Sequence, residues 1–357
     1  MHQARRVGTY LAAAALASSL SCGSDMNGPE SSSGGNHCPC PFTNIPAPPG
    51  GVAQFTVMPV AIAPGMSLTA LGSLNPPGHV LPTDHVYFYD GDLSKNQPFG
   101  SDTRDVFMPA TGAVISLLPN AQGETKVMFR ATPAFYFYFD HVVLTQPLTI
   151  GQIVQVGTKL GNTTKGTTLD LGAFDTTATH SGFVNRARYG EQTLYYVSPW
   201  QYFTPELQAQ LYPHVYRTAA ASDKDGQLDF GISGKLAGDW FVSDMPADSS
   251  WEPYGWTRTI SFAYDYYDPS QVRVSIGGTV GPAGVWAIDS AAPRPERVTA
   301  GSGVVPYLLY SPFDKGFPPY GLLLVRMNDD TTISVELFVG ERTVNRQMDA
   351  GASTFVR

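Results

Sequence analysis

A chain of 357 residues, 15% charged and 43% hydrophobic, has the composition of a globular protein long enough for two domains and a large buried core. Its formal charge is -8, and no Lys/Arg run follows residue 6. That excludes the clustered cationic surface that nucleic acid requires, so nucleic acid is set aside as a partner.

Residues 1–22 read as an export signal: Arg5 and Arg6 form a short basic region, the run 11–20 is apolar and small, and Ser21-Cys22 follows. The run is too short to span a bilayer. Cys22 behind Ser19-Leu20-Ser21 resembles a bacterial lipobox, which would lipidate Cys22 and anchor the protein to a membrane; Ser19 stands where the pattern usually has Leu. An ordinary cleaved signal peptide is the alternative. Gly23 after the Cys is not the Asp of a retention signal, so in a Gram-negative cell the outer membrane, facing periplasm or cell surface, is the expected destination. Residues 23–51 are rich in Ser, Gly, Pro and Asn and read as a flexible tether. Within it, His37-Cys38-Pro39-Cys40 lacks a fourth metal ligand, so a local or interchain disulfide in an oxidising compartment is the preferred reading.

From residue 52 onward, short Val/Ile/Tyr/Phe/Thr runs punctuated by Gly, Pro and Asn predict an all-β chain. Expected strands in the first unit, 52–190, are 54–58, 85–89, 112–117, 126–131, 134–144, 153–156 and 167–171. The stretch Asn75-Pro76-Pro77-Gly78-His79-Val80-Leu81-Pro82-Thr83-Asp84-His85 places His79, Asp84 and His85 on a Pro/Gly-stiffened turn that runs into a β-branched and aromatic strand. Asp84 and His85 are expected on opposite faces of that strand, so that only one of them reaches a shared site.

Three segments carry a family resemblance. Asp105-Val106-Phe107-Met108-Pro109-Ala110-Thr111-Gly112-Ala113-Val114, then Phe139-Asp140-His141-Val142-Val143-Leu144, then Leu148 through Gly151, Gly157 and Gly161 to Thr163, are similar to the strand, "YaHL" and glycine-spaced segments of LytM-type (M23) zinc peptidases, which cut peptidoglycan cross-links. The resemblance covers residues 70–185, a third of the chain. It implies an antiparallel barrel-sandwich type domain, a Zn²⁺ cofactor and a cell-wall peptide as substrate. It also implies metal ligation by His79, by Asp84 or His85, and by Asp170, with His141 as the catalytic base. The chain departs from the pattern twice. One residue too many separates His79 from Asp84, and the His-x-His is replaced by Thr168-Leu169-Asp170. A carboxylate can replace an imidazole on zinc, but Thr168 cannot serve as a base near neutral pH. Each of these residues also has a structural reading: Asp84 and Asp170 as turn caps, His85 as a core histidine, His141 paired with Asp140.

A connector, 191–226, holds the clearest helix, 205–211, with Thr204 as N-cap and Pro205 at its first position. Asp223-Lys224-Asp225-Gly226 resembles part of a calcium loop, but Ala221 and Ile232 occupy the end-ligand positions, so a polar turn is expected. His180 and His214 lie outside any motif. A second β unit, 227–357, has seven turn-punctuated runs, 240–242, 259–264, 272–276, 284–288, 303–310, 321–327 and 332–339, and predicts a β-sandwich or small barrel. Gly238-Asp239-Trp240 resembles the Gly-x-Trp that opens lipocalin-like barrels, or a Trp that plugs the base of any small barrel; Tyr264, Tyr266 and Tyr267 are aromatics able to line a groove. Three functions follow: a zinc-dependent peptidoglycan endopeptidase, a non-catalytic LytM-like module that binds wall or activates a partner hydrolase, and an envelope ligand-binding protein working through its C-terminal unit.

Overall fold

The computed structural model describes residues 44–95, 102–219, 221, 223–251, 255–312 and 317–357. The export signal, Cys22, and the Cys38-Pro39-Cys40 motif lie outside the described residues.

The chain is all-β, with α1 (Pro205–Leu211) as the one α-helix among the described residues. The first unit holds β1 (Ser67–Leu68), β2 (His85–Tyr89), β3 (Asp105–Phe107), β4 (Gly112–Pro119), β5 (Thr125–Arg130), β6 (Phe135–Leu144), β7 (Ile153–Val154), β8 (Lys159–Thr163), β9 (Leu169–Asp175) and β10 (Tyr196–Val197). Its sheet runs β1-β2-β9-β6-β5-β4-β7, with β10 on β9 and β8 bridging β6 to β3. Alternation along the central strands assigns the two faces. Val86, Leu171, Phe139 and Val127 form one cross-strand row, fully buried in the core. Their neighbours, Tyr87, Asp170, Asp140 and Lys126, point the other way and build the polar site described below. Gly161 of the glycine-spaced segment lies so close to the Val143 carbonyl that a Cβ would sit 2.1 Å from its oxygen.

Two expectations change. Residues 54–58 form no strand; Phe55 makes only an isolated parallel bridge to Phe203, because the backbone around it bonds to Tyr202 and Pro109 carbonyls instead of to a ladder. The tether is also tied down at its C-terminal end. Arg130 donates from Nη1 to the Ile45 carbonyl at 2.7 Å, and Ile45 packs against the core. The connector is core as well: Trp200, Phe203, Leu211 and Val215 are buried with the sheet. In α1, Thr204 accepts from the Leu207 N–H as the expected cap.

The second unit is a closed eight-stranded antiparallel barrel in chain order. Its strands are β11 (Gly238–Val242), β12 (Thr259–Tyr264), β13 (Val272–Ile276), β14 (Gly284–Ile288), β15 (Val304–Tyr310), β16 (Gly321–Met327), β17 (Thr332–Val339) and β18 (Ser353–Val356), with β18 pairing back onto β11. Closure removes both sheet edges. Trp240 plugs one end: it is fully buried, donates Nε1–H to the Leu236 carbonyl at 2.8 Å, and carries the Arg357 guanidinium 3.9 Å above its ring. Arg357 in turn donates to the carbonyls of Ile232 and Ala237. The two units meet where Tyr189 donates to Asp239 Oδ2 at 3.0 Å and Trp251 donates to the Arg188 carbonyl at 2.6 Å.

Candidate functional site

Register brings the site together. Asp170 of β9 stands opposite Tyr87 of β2 on one side and Asp140 of β6 on the other. One row along the same face, His85 and Tyr138 flank Gly172. Gly172 is required there, since a Cβ would fall 2.0 Å from the Tyr138 ring. The ring lies across the vacated space, and its hydroxyl donates to Asp84 Oδ1 at 3.1 Å.

His141 joins through a bulge. Asp140 and His141 together oppose Lys126, because Phe139 pairs with Val127 and Val142 with Thr125. His141 takes φ 65, the left-handed region, and its N–H is held by Asp140 Oδ1 at 2.8 Å. That kink turns a side chain that strict alternation would send to the core back onto the polar face. It is stabilised by Glu124, which accepts from His141 Nδ1 at 2.8 Å and from the Asn120 amide at 3.0 Å.

The result is two carboxylate-oriented imidazoles facing one carboxylate. His85 Nδ1 bonds Asp84 Oδ1 at 2.6 Å, His141 Nδ1 bonds Glu124, and their Nε2 atoms stand 3.5 and 3.6 Å from the same oxygen, Asp170 Oδ2. Thr168 donates to the other oxygen, Asp170 Oδ1, at 2.7 Å, and the Tyr87 hydroxyl lies 2.9 Å from His85 Nε2. His79 packs its ring edge-on against His85, centroids 5.3 Å apart, on a turn pinned by the reciprocal Asn75–His79 backbone bonds. Lys126 Nζ sits 3.9 Å over the Tyr138 ring and 3.9 Å from Asp140.

The expectation that only one of Asp84 and His85 can face the site is corrected. Asp84 lies in the bend before β2, outside the pleat, so both side chains turn inward and bond each other. Sequence reading missed Glu124, Tyr87, Tyr138 and Lys126. Tyr87 was findable, because two residues along a strand from His85 it must share its face. Asp223 caps a polar turn by accepting from the Asp225 and Gly226 N–H groups, as expected of a loop without calcium end ligands. His180 pairs with Asp229 and His214 with the Met66 carbonyl, both away from the cluster.

The charges settle against one another. Burial works against ionisation of Asp84, but the hydrogen bond from His85 and the charges of His85 and Lys126 hold its carboxyl well below the usual range. Burial likewise opposes protonation of His85 and His141, yet His85 is raised by Asp170 and Asp84, and His141 by Asp170, Asp140 and Glu124. Burial, then the neighbouring His85 charge, push His79 down to about 4, so it is neutral. Tyr87 and Tyr138 are held as phenols, first by burial and then by the adjacent carboxylates.

These residues are of the types that bind zinc. Among the described residues no three His, Cys, Asp or Glu side chains are grouped so as to hold a metal ion. Asp84 Oδ1 is taken by His85 and Tyr138, His85 Nε2 by Tyr87, and Asp170 Oδ1 by Thr168. No zinc site is therefore assigned among the described residues.

No family model matches the chain, and no curated protein matches it. Solved structures similar to it include a putative M23 peptidase from Pseudomonas aeruginosa, with 19% identity, 37% of this chain and 50% of that one covered, and a TM-score of 0.24. A zinc-containing peptidase from Vibrio cholerae shares 15% identity over 35% of this chain and 37% of its own, also at a TM-score of 0.24. Lysostaphin shares 11% identity over 82% of this chain and 87% of its own, again at 0.24. The chain thus spans half or less of the length of the first two. At these TM-scores the likeness establishes neither family nor activity.

Proposed function

We propose that the first unit is a divergent LytM-like module that binds cell-wall peptide without cleaving it, carried on an exported lipoprotein, and able to serve a partner hydrolase. The sequence resemblance over 70–185 supports the cell wall as target. The non-hydrolytic choice rests on one observation: His85 and His141, each held at Nδ1 by a carboxylate, both turn Nε2 towards Asp170, and no three such side chains among the described residues are grouped as a metal-ligand set. A base must be unprotonated to take a proton from water, and although burial opposes it, Asp170, Asp140 and Glu124 raise His141 and make it hold its proton more firmly than an ordinary imidazole. Thr168, in the place of the family's second base, only donates to Asp170.

The deciding experiment combines metal analysis of the purified mature chain with sedimentation on insoluble peptidoglycan. Retention on the wall, with far less than one zinc per chain and no release of peptide, is the expected result. Stoichiometric zinc that is lost on both His79→Ala and Asp170→Ala, together with peptide release, would replace this reading by the zinc endopeptidase.

Anchoring through Cys22 has its own test. The mature protein is expected in the membrane fraction, and Cys22→Ser is expected to move it to the soluble envelope fraction. A membrane fraction unchanged by the substitution removes the lipoprotein reading.

A further inference from the structure

Between the two units lies a cavity of about 240 Å³, with walls from the connector and from the barrel end. At about 30 Å³ per water this is room for some eight waters, or one sugar ring. One wall is aromatic: Phe230 and Tyr264 stand 5.6 Å apart at 53°, the kind of surface on which the C–H face of a pyranose packs. Two guanidinium groups also line it, and both are held in place by the protein. Arg217 donates from Nη1 to the Tyr266 carbonyl at 2.6 Å and from Nε to the Asp223 carbonyl at 2.9 Å. Arg294 donates to Glu296 at 2.9 Å and to the Ser270 carbonyl at 3.1 Å, and stacks 5.0 Å from the Tyr264 ring centre.

Both guanidinium groups are ion-paired, Arg217 through Nη2 with Asp223 Oδ2 at 3.4 Å and Arg294 with Glu296, yet each five-donor fork has more N–H groups than these bonds use, with its orientation already fixed. Asp265, the carboxylate of the lining, is consumed by Arg273 at 2.6 Å and by the N–H groups of Tyr267 and Asp268. The carboxylates that do pair with the two guanidinium groups, Asp223 and Glu296, leave part of each donor fork open. Gln227 stands exposed at the mouth.

We propose that this cavity binds a monosaccharide-sized sugar acid, its ring against Phe230 and Tyr264 and its carboxylate on Arg217 and Arg294. The site is separate from the His/Asp cluster and does not depend on the function proposed for it.

Calorimetric titration of the full mature chain tests this with N-acetylmuramic acid and glucuronic acid as probes and N-acetylglucosamine as the uncharged control. At least one acid is expected to bind in the millimolar range or better, with the control about tenfold weaker for want of the charge-assisted bonds. Arg294→Gln should weaken the acid about tenfold. Gln227→Trp should abolish binding by filling the mouth while leaving the thermal transition where it was. His79→Gln should leave sugar binding unchanged, so failure here and failure of the wall-binding module read out separately. Binding of neither acid at about 10 mM, equal binding of the uncharged sugar, or undiminished binding to Gln227→Trp overturns the proposal.

Discussion

Replacing Asp170 by Ala is expected to cost about 3–5 kcal/mol of folding stability near neutral pH, the range seen when one partner is removed from a buried ionic cluster. Its side chain is 8% exposed, and its Oδ2 faces His85 Nε2 at 3.5 Å and His141 Nε2 at 3.6 Å. Without it, two largely enclosed imidazole rings lose the carboxylate that most raises both, and Thr168 loses its acceptor. The cost is limited by one escape: each histidine can shed its proton. Histidine titration by NMR should therefore show His85 and His141 both moving down in Asp170→Ala. Asp170→Asn, which keeps an acceptor for Thr168 but not the charge, should fall between the parent and Ala in stability. A denaturation midpoint within about 1 kcal/mol of the parent, with unmoved histidine titrations, would show that the cluster is not held by Asp170.

Much of this fold was legible from sequence because local pattern and tertiary role agree. The barrel strands at 259–264, 272–276, 284–288, 321–327 and 332–339 and the helix at 205–211 fall where the sequence pattern places them. Elsewhere tertiary context decides. Gln54-Phe55-Thr56-Val57-Met58 has strand-like residues, yet no neighbour offers a ladder beyond Phe203. Ser353–Val356 closes the barrel although only Phe355 enters its core, too little apolar pattern to announce a strand.

The site was readable as a set of residues and not as an arrangement. His79, Asp84, His85, His141 and Asp170 do gather, but which atoms meet depends on the bulge at Asp140-His141 and on the bend at Asp84. Neither follows from side-chain alternation. Glu124 could be reached only through register: Thr125 pairs with Val142, and that pairing carries Glu124 to His141 across the β5–β6 hairpin.

His79→Gln is expected to remove a distinct acid-sensitive limb of the stability curve. In the fold His79 titrates at about 4, against 6.5 as the ordinary value that applies when unfolded. Between those values the unfolded chain binds a proton that the folded chain refuses, so stability is full above pH 6.5 and falls as pH drops towards 4. The loss attributable to His79 alone is about 3 kcal/mol at most, from about 1.4 kcal/mol per pH unit, and the half-buried ring trims it. The neighbouring groups depend on pH differently, and His85 and His141 act with the opposite sign to His79. His85 and His141 are raised, so their contribution is complete below the ordinary histidine value and is lost as pH climbs through their folded values. Asp84 and Glu124 are lowered, so theirs holds above the ordinary carboxylate values, 3.8 and 4.5, and fails only below them. Urea unfolding at pH 7 and pH 5 separates these effects. The stability difference between parent and His79→Gln should be small at pH 7 and should shift by about 2 kcal/mol in favour of the variant at pH 5. Parallel pH profiles for parent and variant would mean that His79 keeps an ordinary affinity for protons in the fold, and with it the freedom to swing away from His85 into solvent.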